Sequence, residues 1–163
     1  MALTHGVFYQ IDPSIKFSEQ RTAQAATSLD VDGGGLVTLA RAAPGSATAT
    51  GVYVAYNPAM VYVKEGDMIL PSRQLDRRAH TNMGGYAFDC FKPTVGQVFG
   101  ILAGNVTGST APTVGKFLEP TSGATTYTIQ ATQTDGAASF KVVEVKKQHF
   151  PTGVIGGEYV DMY

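Results

Sequence analysis

The sequence predicts an all-β fold, a small β-barrel or sandwich with an extended N-terminal arm and a C-terminal tail, on three observations. Apolar runs at residues 52–56, 60–70 and 96–104 are short and separated by turn residues, which suits strands and is too short for helices. Residues 125–132 alternate Tyr127, Ile129 and Ala131 with Thr126, Thr128, Gln130 and Thr132, the period of a strand with one wet face. Residues 18–29 show no apolar face at helical spacing, so no stable helix is expected there.

The 163 residues make one domain, or one domain plus arms, with enough chain to bury a core. The expected division is an arm and flexible linker over 1–51, a β domain over 52–149 and a docking tail over 150–163. In the arm, Phe8, Tyr9 and Phe17 are interrupted by Asp12-Pro13, and proline stops regular structure there. These aromatic residues need something to pack on, either this domain's own core or a neighbour. Gly33-Gly34-Gly35 lacks the following Gly-Lys-Ser/Thr and helix of a phosphate loop, and reads with residues 42–51 as linker.

The β domain opens with a strand at 52–56, a turn at Asn57-Pro58, a strand at 60–63, a turn at 64–67 and a strand at 68–70. Residues 71–85 hold the dense basic cluster of Arg73, Arg77, Arg78 and His80. Residues 73, 77 and 80 would share one face of a short helix. That cluster is either a patch for a partner's carboxylates or a solvated loop. Residues 86–91 alternate as a half-buried strand carrying Cys90, and Gly96–Gly104 reads as the buried central strand. Further strands are expected at 114–118, 125–132 and 139–147, with a turn at Asp135-Gly136. The alternation loses register at Val142-Val143, which predicts a β-bulge, and Lys146-Lys147 would protect an edge. The tail is apolar and aromatic, unlike a disordered one, so Phe150, Tyr159 and Tyr163 should dock on the chain's own sheet or on an adjacent subunit.

Nothing in the chain announces a reaction. Twelve basic and 13 acidic residues are spread along its length, which argues against a nucleic-acid partner. A single cysteine excludes an internal disulfide and a cysteine pair for zinc, and the three histidines lie far apart in sequence. No serine sits in a Gly-x-Ser-x-Gly frame, and Asp30-Val-Asp32-Gly33 lacks the closing glutamate of a calcium loop. The expectation is a non-enzyme with no metal or other cofactor. No secretory signal is visible and no apolar run approaches the ~18 residues of a membrane span, so synthesis in the cytoplasm is expected. Charged residues are only 15%, so the surface must be polar and uncharged or partly covered by neighbours.

Two segments, Val63-Lys-Glu-Gly-Asp-Met-Ile69 and Val95-Gly-Gln-Val-Phe-Gly-Ile-Leu102, set among Ala/Thr/Gly-rich stretches, resemble the capsid decoration (cement) proteins of tailed bacteriophages. The resemblance covers roughly residues 52–104. It implies a β-rich module, dimeric or trimeric, that sits on the outer capsid surface of the virion and bridges neighbouring copies of the major capsid protein. It implies neither catalysis nor cofactor. On this reading the partner contacts fall on Phe8, Tyr9, Phe17, Arg73, Arg77, Arg78, Phe150, Tyr159 and Tyr163. The alternatives are another phage structural part (head–tail connector, tail-tube or fibre-base module) or a carbohydrate-binding β-sandwich stacking sugars on Tyr53, Tyr56, Tyr62 and Tyr86.

Overall fold

The computed structural model describes residues 9–10, 20–24, 30–38, 51–55, 62–65, 68–71, 81–82, 84–108, 110–150 and 158–162. The chain is all-β. In order the strands are β1 (Tyr9–Gln10), β2 (Gln20–Gln24), β3 (Val31–Asp32), β4 (Leu36–Thr38), β5 (Val52–Ala55), β6 (Tyr62–Glu65), β7 (Met68–Pro71) and β8 (Thr81–Asn82). They continue as β9 (Ala87–Phe91), β10 (Phe99–Gly100), β11 (Val106–Thr107), β12 (Phe117–Pro120), β13 (Tyr127–Gln130), β14 (Phe140–Lys141), β15 (Lys146–Phe150) and β16 (Glu158–Met162). A 3-10 turn, Ala103–Asn105, precedes β11.

Two four-stranded sheets, ordered β2-β9-β5-β4 and β11-β13-β12-β14, organise the core. Side chains alternate along each strand, so the first sheet buries both faces of its centre. Leu36, Val52, Val54 and Phe91 point to one side and meet Leu118, Tyr127 and Val142 of the second sheet's region. Val37, Ala55, Phe88 and Cys90 point to the other side and pack with Val31. An edge-to-face aromatic series crosses from sheet to sheet: Phe91 to Phe99 at 5.9 Å, Phe99 to Phe140 at 5.5 Å, and Phe140 to Tyr127 at 5.7 Å between ring centroids. No closed barrel forms among the described residues.

The glycine run is not a linker. Asp32-Gly-Gly-Gly35 is a tight turn closed by Gly35 N–H donating to Asp32 O at 2.9 Å, and Gly33, Gly34 and Gly35 are all buried. Gly34 N–H donates to Ala55 O and Ala55 N–H donates to Gly35 O, so Gly34 and Gly35 together oppose Ala55. That two-against-one count is a bulge whose first residue needs left-handed backbone, and Gly34 supplies φ +78°. The carbonyls of the turn then hold the second sheet: Asn105 Nδ2 donates to Gly33 O at 2.8 Å and Tyr127 Oη donates to Gly34 O at 2.9 Å. Leu36 N–H adds a 2.7 Å bond to Thr125 O. Residues 30–38 therefore belong to the β domain, and so do residues 20–24, which pair with β9 along its length. The boundary expected at residue 51 cuts through a sheet.

Two further corrections concern strands. Gly96–Gly104 is not one buried strand: residues 94–97 form an exposed turn, only Phe99–Gly100 pairs as a strand, and the chain then enters the 3-10 turn. Its apolar content is nonetheless placed inside at Ile101 and Leu102. The bulge expected at Val142-Val143 lies on the opposing strand. Gly115 N–H donates to Val142 O and Val142 N–H donates to Lys116 O, so Gly115 and Lys116 oppose Val142 alone. The tail pairs with its own chain, with β16 antiparallel to β15 so that Tyr159 is opposite His149 and Glu158 opposite Phe150. Tyr9 is likewise opposite Gly100 in the β1–β10 pair.

Candidate functional site

Among the described residues, the carboxylates of Asp30, Asp32 and Glu119 are engaged in holding the fold. Glu119, fully buried, accepts from Thr134 N–H at 2.7 Å and from Thr134 Oγ1 at 2.8 Å, which ties the 131–136 loop to β12. Asp30 accepts from Gly84 N–H at 2.8 Å and Asp32 from Thr81 Oγ1 at 2.6 Å, so the pair that hints at a calcium loop in sequence fastens β3 to the 81–84 segment. Thr107, Thr121 and Thr128 share hydroxyl hydrogen bonds across β11, β13 and the end of β12, the shortest being 2.7 Å. Among the described residues no three His, Cys, Asp or Glu side chains converge as a metal centre. No helix there is long and apolar enough to cross a membrane.

Cys90 is fully buried, and its Sγ contacts Arg21 O at 3.4 Å. Burial, with the Asp89 carboxylate beside it, pushes the thiol up to about 11. Two outcomes are expected. At pH 8 only about one thiol in a thousand is thiolate in the native state, so iodoacetamide should label the folded chain far more slowly than the urea-unfolded one. Because the native state holds the proton more tightly, stability should also fall as pH rises from about 9 towards 11, and Cys90→Ser should flatten that slope. Equal labelling rates in the two states would contradict this placement.

The large apolar residues exposed among the described ones are Tyr86, Val95, Val98, Val114, Val143 and Val145, and the five valines belong to three adjoining segments. A cleft of about 710 Å³ opens between the 92–99 and 137–143 segments, with Val95, Val98 and Val143 on its exposed walls. Phe99 and Phe140 line it further in, continuing the aromatic series of the core. The Ser139 hydroxyl, also in the lining, is buried without a hydrogen-bond partner. Lys92 and Lys141 stand exposed on the same cleft.

The contact residues expected from sequence are not among the described side chains. Phe8, Phe17, Arg73, Arg77, Arg78 and Tyr163 lie outside the described residues, as do the side chains of Tyr9, Phe150 and Tyr159, whose backbones lie in paired strands. Of the tyrosines offered for sugar stacking, Tyr53 packs against the core and Tyr86 is 69% exposed, while Tyr56 and the Tyr62 side chain lie outside the described residues. The valines have a signal of their own in the sequence: Pro-Thr-Val-Gly occurs twice, at 93–96 and at 112–115.

No family model matches the chain, and no curated protein or solved structure gives a match.

Proposed function

We propose that this chain is a structural virion protein that binds the outer surface of a tailed-phage capsid, bridges neighbouring major capsid subunits and stabilises the head. The observation that carries this reading is the apolar valine face on a body whose buried carboxylate and amide are already bonded within the fold. A catalyst would concentrate perturbed, convergent ionisable groups in its cleft, whereas this cleft is lined mainly by apolar and uncharged polar residues, with Lys92 and Lys141 its charged side chains. Exposed apolar residues grouped in this way mark protein contact. Each valine moved fully out of water contributes on the order of 1.5–3 kcal/mol, and a face already held by sheet and turns loses little entropy on docking. The cement-like segments at 63–69 and 95–102 supply the identity of the partner, the major capsid protein, and the homodimer or homotrimer as the assembling unit. The second of those segments includes Val95 and Val98 of the face.

The test is cosedimentation of the full chain with heads of its own phage that lack it. Binding should saturate at a fixed number of copies per capsid subunit and raise the temperature at which the heads release DNA. Failure to cosediment, or binding without saturation, would remove the capsid reading.

A further inference from the structure

The two Pro-Thr-Val-Gly copies fold alike. In the first, Gln97 N–H donates to Thr94 O at 3.1 Å and Gly96 adopts φ +91°; in the second, Lys116 N–H donates to Thr113 O at 3.1 Å and Gly115 adopts φ +89°. Each is a four-residue turn with valine at the first corner and left-handed glycine at the second, as in a type II turn. The first is braced again by Thr94 N–H donating to the Gln97 side chain at 2.8 Å. The second is anchored through the bulge opposite Val142. Both valines project from stiff turns: Val95 is 107% exposed and Val114 63%.

The protein contains its own control for this arrangement. Thr121-Ser-Gly-Ala124 and Thr134-Asp-Gly-Ala137 close with the same bond, at 3.2 Å in each, and also place a left-handed glycine at the second corner. Their first corners carry Ser122 and Asp135, the polar residues that water favours at a turn. Valine at the first corner therefore serves no need of the turn. Val143 links the two copies: it shares the cleft wall with Val95, and its neighbour Val142 bonds the second turn through both backbone groups.

Charge identifies what meets them. Lys92 and Lys141 line the cleft and Lys116 closes the second turn, and none has an ion-pair partner among the described residues. Glu144, the acid of the neighbouring strand segment, is taken up by Lys146 at 2.8 Å. A second copy meeting this face with its own would set lysine against lysine, which disfavours self-association here. We propose that the twin Val95 and Val114 turns are paired prongs that enter apolar pockets on a different protein, and that carboxylates on that protein surround the pockets and meet Lys92, Lys116 and Lys141. The inference rests on the capsid reading for the partner's identity and adds the contact surface and the partner's chemistry.

The test measures affinity of the full chain for heads of its own phage, with folding of each variant checked by thermal melting. Val95→Ser and Val114→Ser should each weaken binding roughly tenfold, and together about a hundredfold if the two prongs act independently. Lys92→Glu/Lys141→Glu should weaken it as well and abolish the loss of wild-type affinity with rising salt. Asp135→Asn, at a control turn, should change it less than about twofold. A double valine variant that binds like wild type overturns the prongs while leaving the capsid reading standing. A charge-reversed variant that binds more tightly overturns the carboxylate surround. An oligomer that dissociates in the valine variants makes the occupant a second copy and overturns the proposal. Wild type that fails to bind heads removes the capsid reading, and this inference falls with it.

Discussion

Gly35→Ala should destabilise the chain by about 3 kcal/mol, a large fraction of the stability of a domain this size. A β-carbon at Gly35 would lie 2.8 Å from Asp32 O and 3.3 Å from Thr125 O, and both are backbone atoms that cannot swing aside. The same two oxygens accept the bonds that close the glycine turn and join it to the second sheet. Any shift that relieves the clash therefore breaks one of the bonds at the junction. Gly34→Ala meets a different obstacle. Its β-carbon would lie 2.5 Å from Asn105 Nδ2, which can move aside only by giving up its bond to Gly33 O, and φ +78° adds strain of about 1–2 kcal/mol. Urea denaturation of the full chain should show a lowered midpoint for both variants at unchanged slope. A midpoint equal to that of wild type would mean that residues 33–35 are not packed between the sheets.

Tyr127 is the counterpart of that turn on the second sheet. Its side chain is fully buried, its ring packs on Phe140, and its hydroxyl donates to Gly34 O. Removing only the hydroxyl with Tyr127→Phe leaves a buried carbonyl without its side-chain donor and should cost about 1–3 kcal/mol. Tyr127→Ala also opens a cavity beneath the aromatic series and should cost about 4–5 kcal/mol. The difference between the two variants separates the hydrogen bond from the packing. Burial raises the hydroxyl's pKa, so its ionisation adds to the alkaline sensitivity expected from Cys90. The absence of any difference between Tyr127→Phe and wild type would contradict the junction.

The strands that the sequence makes legible are those whose pattern is local. Residues 52–55, 87–91 and 127–130 alternate over four or five positions, and each emerges as a strand with its apolar residues directed to a core. The glycine run was opaque because its role depends on distant acceptor relationships: Asn105 and Tyr127 lie 72 and 93 residues further along the chain. A glycine-rich turn and a glycine-rich linker have the same composition, and only the partners distinguish them. The bulge at Val142 shows the same limit at shorter range. A break in alternation reveals that one strand carries an extra residue, yet the extra residue sits on the facing strand, at Gly115 and Lys116.

The exposed valines escape notice in the sequence for another reason. A single exposed valine is ordinary on any protein surface, so Val95 and Val114 draw no attention separately. They become informative when the repeated tetrapeptide is set beside the two turns whose corners are Ser122 and Asp135. The aromatic arms, by contrast, stand out because aromatic residues are costly to expose. The backbones at Tyr9, Phe150 and Tyr159 are paired within the chain.

An electron cryomicroscopy reconstruction of heads saturated with the full chain would show the proposed contact itself. Ordered β-rich density is expected on the outer capsid surface, spanning neighbouring subunits, with the 93–97 and 112–116 turns buried at the contact. Density in which both turns face solvent, or heads that remain bare at saturating chain, would contradict it.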